Sequence, residues 1–144
     1  MKLMTAEIEK ALMKNPLYSH DGEGADAKIV VKYFGGSAAT WLITEGEKQP
    51  DGDWLFFGYA TLGLPDPFDE SCLIWEWGYV LLSQLAELRF PPFGLPVERD
   101  MYLPKGATVR DEVFMCREYG KVNKRGPSYC KKTGFKPLVN LRRK

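Results

Sequence analysis

The chain of 144 residues carries 20 Lys and Arg against 19 Asp and Glu, a formal net charge of +1, and is 44% hydrophobic and 13% aromatic. This is the size of a single domain with enough apolar material for a packed core, and no stretch approaches the roughly 18 apolar residues that span a bilayer. Three cysteines without a Cys-x-x-Cys pair argue against a disulfide framework or a four-thiolate zinc site, which favours a reducing cytoplasm.

A short helix and a β-hairpin are the first predicted elements. Thr5 is placed to cap a helix that runs to about Lys14, where Pro16 ends it. Residues 28–34 alternate as a strand, and a Gly-Gly turn joins them to a partner strand at 40–45. A third strand is expected from Trp54 to Ala60.

The next predicted elements include the longest strand candidate. From Leu73 to Leu81 every second residue is large and apolar, which is typical of a strand with an aromatic face to bury. Ser83 can cap a short helix over 84–89, which Pro91 and Pro92 would stop, and 96–103 is the last strand candidate. The order predicts an α+β fold, an antiparallel sheet of about five strands with two short flanking helices.

The charge of the chain is divided along its length. Residues 1–116 carry 10 Lys and Arg against 18 Asp and Glu, a balance of −8, whereas residues 117–144 carry 10 against 1, a balance of +9. Glycines and prolines interrupt the apolar pattern after about Lys105. We therefore predict an α+β domain at 1–110 and a basic C-terminal extension at 111–144, called the basic extension below.

The sequence gives little indication of a nucleophilic active site or a metal site. A Ser/His/Asp or Cys/His site needs an imidazole on a rigid element, and His20 is the single histidine, in a Gly- and Asp-rich stretch where we expect an exposed loop. Gly35-Gly36 and Gly94 lack the strand-loop-helix context and the lysine of a phosphate-binding loop. We expect no metal, no cofactor and no enzymatic activity.

Paired carboxylates are the remaining catalytic arrangement. Glu98 and Asp100, two apart on a predicted strand, would project to one face about 7 Å apart, and Glu76 could join them. Such a trio could bind Mg²⁺ or act as acid and base in a hydrolase. The alternative is a solvated acidic face paired with Arg99 or a lysine of the basic extension.

The four tryptophans are interpreted mainly as core. They could form a stacking platform for single-stranded bases, but all lie on predicted strands beside other apolar groups. The four residues are Trp41, Trp54, Trp75 and Trp77. Trp41 and Trp54 lie nearer the predicted loops, so we expect these two to be the exceptions to core packing.

The basic extension indicates a polyanionic partner. Its cations can neutralise phosphates, and its aromatic residues can stack on bases. The alternative is that it folds onto its own acidic body or binds a protein. The expected nucleic-acid-binding residues are Arg117, Lys121, Lys124, Arg125, Tyr129, Lys131, Lys132, Lys136, Arg142 and Arg143.

Residues 28–103 resemble a bacterial family of domains of unknown function found on plasmids, integrative conjugative elements and phages. The matching segments are KIVVKYF (28–34), LFFGYATLG (55–63), WEWGYVLLSQLAEL (75–88) and, most specifically, FGLPVERDMYL (93–103). The resemblance implies a small cytoplasmic accessory protein of a mobile genetic element. The resemblance assigns no catalytic role to Glu98, Arg99 or Asp100.

Three functions remain open from the sequence. The first is non-enzymatic binding of DNA or RNA through the basic extension, without strong sequence preference. The second is an anti-defence inhibitor, of the anti-CRISPR or antirestriction type, whose acidic body contacts a host defence complex or imitates nucleic acid. The third is a carboxylate-dependent hydrolase. No membrane partner is expected, and the sequence does not specify the oligomeric state.

Overall fold

The computed structural model describes residues 2–36 and 38–113. They form an α+β fold around a five-stranded antiparallel sheet, as the sequence predicts. The strand order across this sheet is β6-β3-β2-β1-β9. Its strands are β1 (Val31–Gly35), β2 (Ala39–Lys48), β3 (Trp54–Thr61), β6 (Glu76–Leu81) and β9 (Glu98–Arg99).

In the described part of the chain, two small two-stranded sheets and three helices accompany the main sheet. The small sheets pair β4 with β5 and β7 with β8. Their strands are β4 (Pro65–Asp66), β5 (Asp69–Leu73), β7 (Arg89–Phe90) and β8 (Leu95–Pro96). The helices are α1 (Ala6–Met13), α2 (Leu82–Glu87) and α3 (Val109–Glu112), and a 3-10 turn spans Gly24–Asp26.

Helix α1 forms where its capping residue predicts it. The Thr5 hydroxyl accepts a hydrogen bond from the Ile8 N–H at 3.2 Å, which satisfies one of the unpaired donors at the start of the helix. Ile8 and Leu12, one turn apart, are buried against one face of the sheet. We call this side of the sheet the helix face.

The alternation of the strands gives the sheet two apolar faces. On the helix face, Tyr33, Trp41 and Phe56 pack in the larger core with α1 and with Leu85 of α2. On the opposite face, called the aromatic face, Leu42 and Tyr59 pack with Trp75 and with Val109 of α3. A β-bulge between Ile43 and Glu45 shifts the register of β2 against β3.

Two predicted strands are interrupted. The strand expected over 73–81 is two strands, because after β5 the Ile74 N–H bonds to the Leu64 carbonyl at 2.9 Å and the pairing with β3 begins at Glu76. The strand expected over 96–103 is confined to β8 and β9, which pair with different neighbours. Both segments change partners midway, which a period-two pattern does not reveal.

The helix α3 was not predicted. Thr108 caps it by accepting the Asp111 N–H, while the Asp111 carboxylate accepts the Thr108 N–H at 2.9 Å. Val109 and Val113 are fully buried in the aromatic-face core. The main chain of Lys28 bridges to Thr108, so this segment is fixed to the start of β1.

Candidate functional site

The structure places the predicted carboxylate pair at the β9 edge of the sheet. Glu98 and Arg99 pair with Phe34 and Tyr33 of β1, and Glu98 is exposed. The strand ends at Arg99, whose Nε donates to the Lys2 carbonyl at 3.1 Å. The main-chain contact with β1 continues one residue further, since the Asp100 N–H donates to the Lys32 carbonyl at 2.9 Å, so Glu98 and Asp100 lie opposite Phe34 and Lys32 of β1.

Asp100 is engaged by neighbouring groups. Its Oδ1 accepts the Tyr102 N–H at 2.7 Å, and its Oδ2 lies 3.6 Å from Lys32 Nζ. The same ammonium lies 2.9 Å from Glu112 Oε1. Lys32 is 16% exposed, so this three-residue network is partly buried and ties α3 to β1.

Glu76 does not join the carboxylates of β9. It begins β6, at the opposite edge of the sheet, and four inter-strand steps separate the two edges, which is about 19 Å at normal strand spacing. Across the described residues there is also no group of three or more His, Cys, Asp or Glu placed to hold a metal ion. The proposed trio is therefore not assembled.

The expectation of an exposed loop histidine is wrong. The His20 side chain is 18% exposed, and its Nδ1 lies 2.7 Å from Glu23 Oε2 and its Nε2 2.6 Å from Asn15 Oδ1. The fully buried Glu45 orders this loop, since its carboxylate accepts the N–H groups of Tyr18 and His20, each at 2.8 Å. His20 belongs to a network that fixes the loop to the sheet.

Most of the tryptophans are core residues, but the predicted exceptions are wrong. Trp41, Trp54 and Trp75 are each 4–5% exposed. Trp77 is the partly exposed one, because it lies on the edge strand β6, where it stacks on Phe57 with ring centroids 5.5 Å apart. Its indole N–H is buried and has no hydrogen-bond partner within the described part of the chain.

Within residues 2–36 and 38–113, three side chains have a shifted pKa. Burial raises the pKa of Tyr33 and Tyr59 well above their usual range, and the negative charge of Glu76 adds to the shift at Tyr59. These phenols stay protonated and serve packing; the Tyr33 hydroxyl donates to the Leu3 carbonyl at 2.6 Å. The Ser83 hydroxyl, which bonds to Asp53, lowers the pKa of that exposed carboxyl.

Cys72 departs from what the cysteine pattern suggested. Its side chain is 2% exposed and forms a disulfide. One disulfide is compatible with an odd number of cysteines, but it argues against the reducing environment that their pattern favoured. The other two, Cys116 and Cys130, lie outside the described residues.

A groove lies on the helix face at the β6 edge, and we call it the Gly78 groove. Its floor is formed by Gly58, Ala60 and Gly78, and its volume is about 210 Å³. Trp41, Ile43 and Val80 form apolar walls, and Glu76 stands at its end. A second cavity of about 240 Å³ shares Ala60, Leu62 and Glu76 with it.

The predicted nucleic-acid-binding residues, from Arg117 to Arg143, all lie outside the described residues. Sequence reasoning missed the Gly78 groove, although a glycine inside a strand, on the pleat face opposite the alternating aromatic residues, was a visible signal. No helix within residues 2–36 and 38–113 has both the length and the apolar character needed to cross a bilayer.

The fold and these sites define a small α+β protein with a five-stranded antiparallel sheet. A family model described as a protein of unknown function (DUF2958) matches residues 3–123, and the chain belongs to this family. Neither a curated protein nor a solved structure shows a significant match.

Proposed function

We propose that this protein is a non-enzymatic accessory protein of a mobile genetic element that binds DNA or RNA through its basic extension. The observation that carries the proposal is the balance of +9 over residues 117–144. A duplex is a dense line of phosphates, so ten cations within 28 residues would gain affinity by releasing its counterions. The proposed location is the cytoplasm, where nucleic acid is accessible, although a disulfide such as that of Cys72 is uncommon in that compartment.

Some cations of the folded body already contact acceptors within it, whereas others, such as Lys10 and Lys14, are exposed. Lys32 lies between Asp100 and Glu112, and Arg110 Nη2 lies 3.5 Å from Asp26 Oδ1. Lys48 faces Glu9 at 3.9 Å, and Arg89 Nη1 donates to the carbonyls of Ala86 and Leu88 at 2.9 and 2.7 Å. These contacts support assigning phosphate binding to the basic extension.

The test compares two charge-matched double variants in the full chain. Lys131→Gln with Lys132→Gln removes two positive charges from the basic extension, and Lys10→Gln with Lys14→Gln removes two exposed positive charges from α1 and its end. Fluorescence anisotropy with labelled single- and double-stranded DNA and RNA measures binding at about 50 and 200 mM salt. We expect the first pair to weaken binding about tenfold and the second to have little effect.

Two results would overturn the proposal. One is absence of binding to any of the probes at the lower salt concentration. The other is an equal loss of affinity in both double variants, which would assign binding to general charge instead of the basic extension.

The balance of −8 over residues 1–116 supports a second candidate, an anti-defence inhibitor that acts through its acidic body. Acidic surfaces of this kind can occupy the basic groove of a nuclease. Absence of nucleic-acid binding, together with salt-sensitive inhibition of a purified defence nuclease, would favour this candidate over the first. The hydrolase built on Glu98 and Asp100 is not proposed, because the Asp100 carboxylate accepts the Tyr102 N–H and lies 3.6 Å from Lys32 Nζ, in the network that ties α3 to β1.

A further inference from the structure

We propose that the Gly78 groove binds an extended segment of a partner protein and receives one of its Arg or Lys side chains, with the cation against Glu76. This surface is formed by residues of the folded body. The proposal depends on three features of residues 2–36 and 38–113: a glycine that no contact explains, a carboxylate without an ion pair and a strand edge without a second partner strand.

Nothing in the described chain requires glycine at position 78. Its φ is not positive, and a Cβ added there would meet no atom within 4 Å. Its cross-strand partner Gly58 is different, because a Cβ at that position would collide with the Leu42 carbonyl. Glycine inside a strand weakens it and often marks a place where another group approaches the backbone closely.

The chemistry of the groove suits a long cationic side chain. Glu76 is exposed and has no ion-pair partner within residues 2–36 and 38–113. Beside it, Trp41, Leu62 and Val80 offer apolar surface along which the methylene stem of Arg or Lys can lie. A volume of about 210 Å³ accommodates one long side chain, and the adjoining cavity of about 240 Å³ extends the space beyond Leu62 and Glu76.

The strand edge suits an extended main chain. Strand β6 is the edge of the five-stranded sheet, and in the described structure it pairs only with β3. Trp77 and Tyr79 also line the groove, although their rings contact Phe57 on the aromatic face. They therefore reach the groove through their main chain, and a segment added beside β6 would direct alternate side chains to the helix face.

The charge of the body selects a cationic segment over a nucleic acid. Residues 1–116 carry a balance of −8, and the groove ends in a carboxylate that would repel phosphates. A cation placed against Glu76 would instead reduce the electrostatic repulsion among the carboxylates of the body. The partner is therefore defined by an extended segment with an Arg or Lys between small or polar residues.

The test uses the full chain and a fluorescein-labelled heptapeptide of alternating Thr and Arg. The matched probe replaces each Arg by citrulline, which keeps the shape and removes the charge. At physiological ionic strength we expect the Arg peptide to bind at least about tenfold more tightly than the citrulline peptide.

Three variants localise the binding. Gly78→Val fills the groove and Glu76→Gln removes its charge, so we expect each to weaken the Arg peptide about tenfold. Glu47→Gln removes an exposed carboxylate of β2 outside the groove and should leave binding unchanged. Circular dichroism checks the fold of each variant, and Gly78→Ala replaces Gly78→Val if the larger side chain impairs folding.

Equal binding of the two peptides, or no binding by the natural chain, would overturn the proposal; the second result is expected if the basic extension itself occupies the groove. Unchanged affinity in a folded Gly78→Val variant would do the same. Nucleic-acid binding should be equal in Gly78→Val and the natural chain, which separates this test from that of the basic extension.

Discussion

Glu45 lies fully buried beside the β-bulge of β2, where its carboxylate holds a loop that is 25 to 27 residues distant in sequence. It accepts the N–H groups of Tyr18 and His20, and Tyr18 has a φ of 76°, in the left-handed region that non-glycine residues rarely adopt. The hydrogen bonds to the carboxylate therefore offset both the burial of a charge and a strained backbone.

We expect Glu45→Gln to lower the free energy of unfolding by about 2 kcal/mol, because the amide can accept only one of the two N–H groups and turns its NH₂ group towards the other. Glu47→Gln, exposed two residues later on the same strand, is the control and should change stability by less than about 0.5 kcal/mol. Urea denaturation at neutral pH measures both. Equal stability of the two variants would show that Glu45 does not hold the loop.

The role of this residue was not predictable from the sequence. A glutamate in a strand pattern usually faces solvent, and the N–H groups that compensate Glu45 come from a loop whose position depends on the packing of α1. The same reason explains the error at His20, which the sequence shows only as a lone histidine near glycines. Local composition does not identify partners that the fold brings from elsewhere.

At the scale of elements, the two facing glycines of β3 and β6 differ in what surrounds them. Gly58 and Gly78 are direct cross-strand partners, Gly58 on the inner strand β3 and Gly78 on the edge strand β6. A side chain at Gly58 would enter the main chain of β2 at Leu42 and Ile43, whereas one at Gly78 would enter open space. The pair is thus a matched comparison of a structural glycine with one that the fold does not require.

We expect Gly58→Ala to destabilise the protein by about 2 to 3 kcal/mol, because the added methyl group forces two packed strands apart. Gly78→Ala should instead stabilise it by about 0.5 kcal/mol, because alanine reduces the conformational entropy of the unfolded chain without a clash. Thermal and urea unfolding of both variants provides the comparison. A destabilised Gly78→Ala would indicate that this glycine does have a structural role.

Elements whose signals are local were predicted well, and elements that depend on distant pairing were not. The Thr5 cap, the hairpin of β1 and β2, and the strand at β3 follow from capping, turn and alternation signals. The placement of β9 beside β1 requires a return of the chain across more than sixty residues. That return places Glu76 and Glu98 on opposite edges of the sheet, so the carboxylate trio, plausible along the sequence, is not formed in space.

For the whole molecule, the division between an acidic body and a basic extension gives two opposite expectations for salt. If the ten cations of residues 117–144 bind an external polyanion, each neutralised phosphate releases counterions and the affinity falls steeply with salt. If they are paired with the carboxylates of the body, salt also weakens those internal pairs. In that case, added salt frees cations from the body while it weakens their binding to phosphates. The affinity for nucleic acid then depends only weakly on salt concentration.

We expect the steep form, in which the logarithm of the affinity for double-stranded DNA falls linearly with the logarithm of salt concentration, with a slope of about −5 to −9 for six to ten phosphates. The variant carrying Lys131→Gln and Lys132→Gln should reduce the magnitude of this slope by about two, and the one carrying Lys10→Gln and Lys14→Gln should leave it unchanged. Anisotropy titrations over a series of salt concentrations measure the slope. A shallow slope for the natural chain, steepened by neutralising exposed carboxylates of the body, would instead show that the two charged regions bind each other.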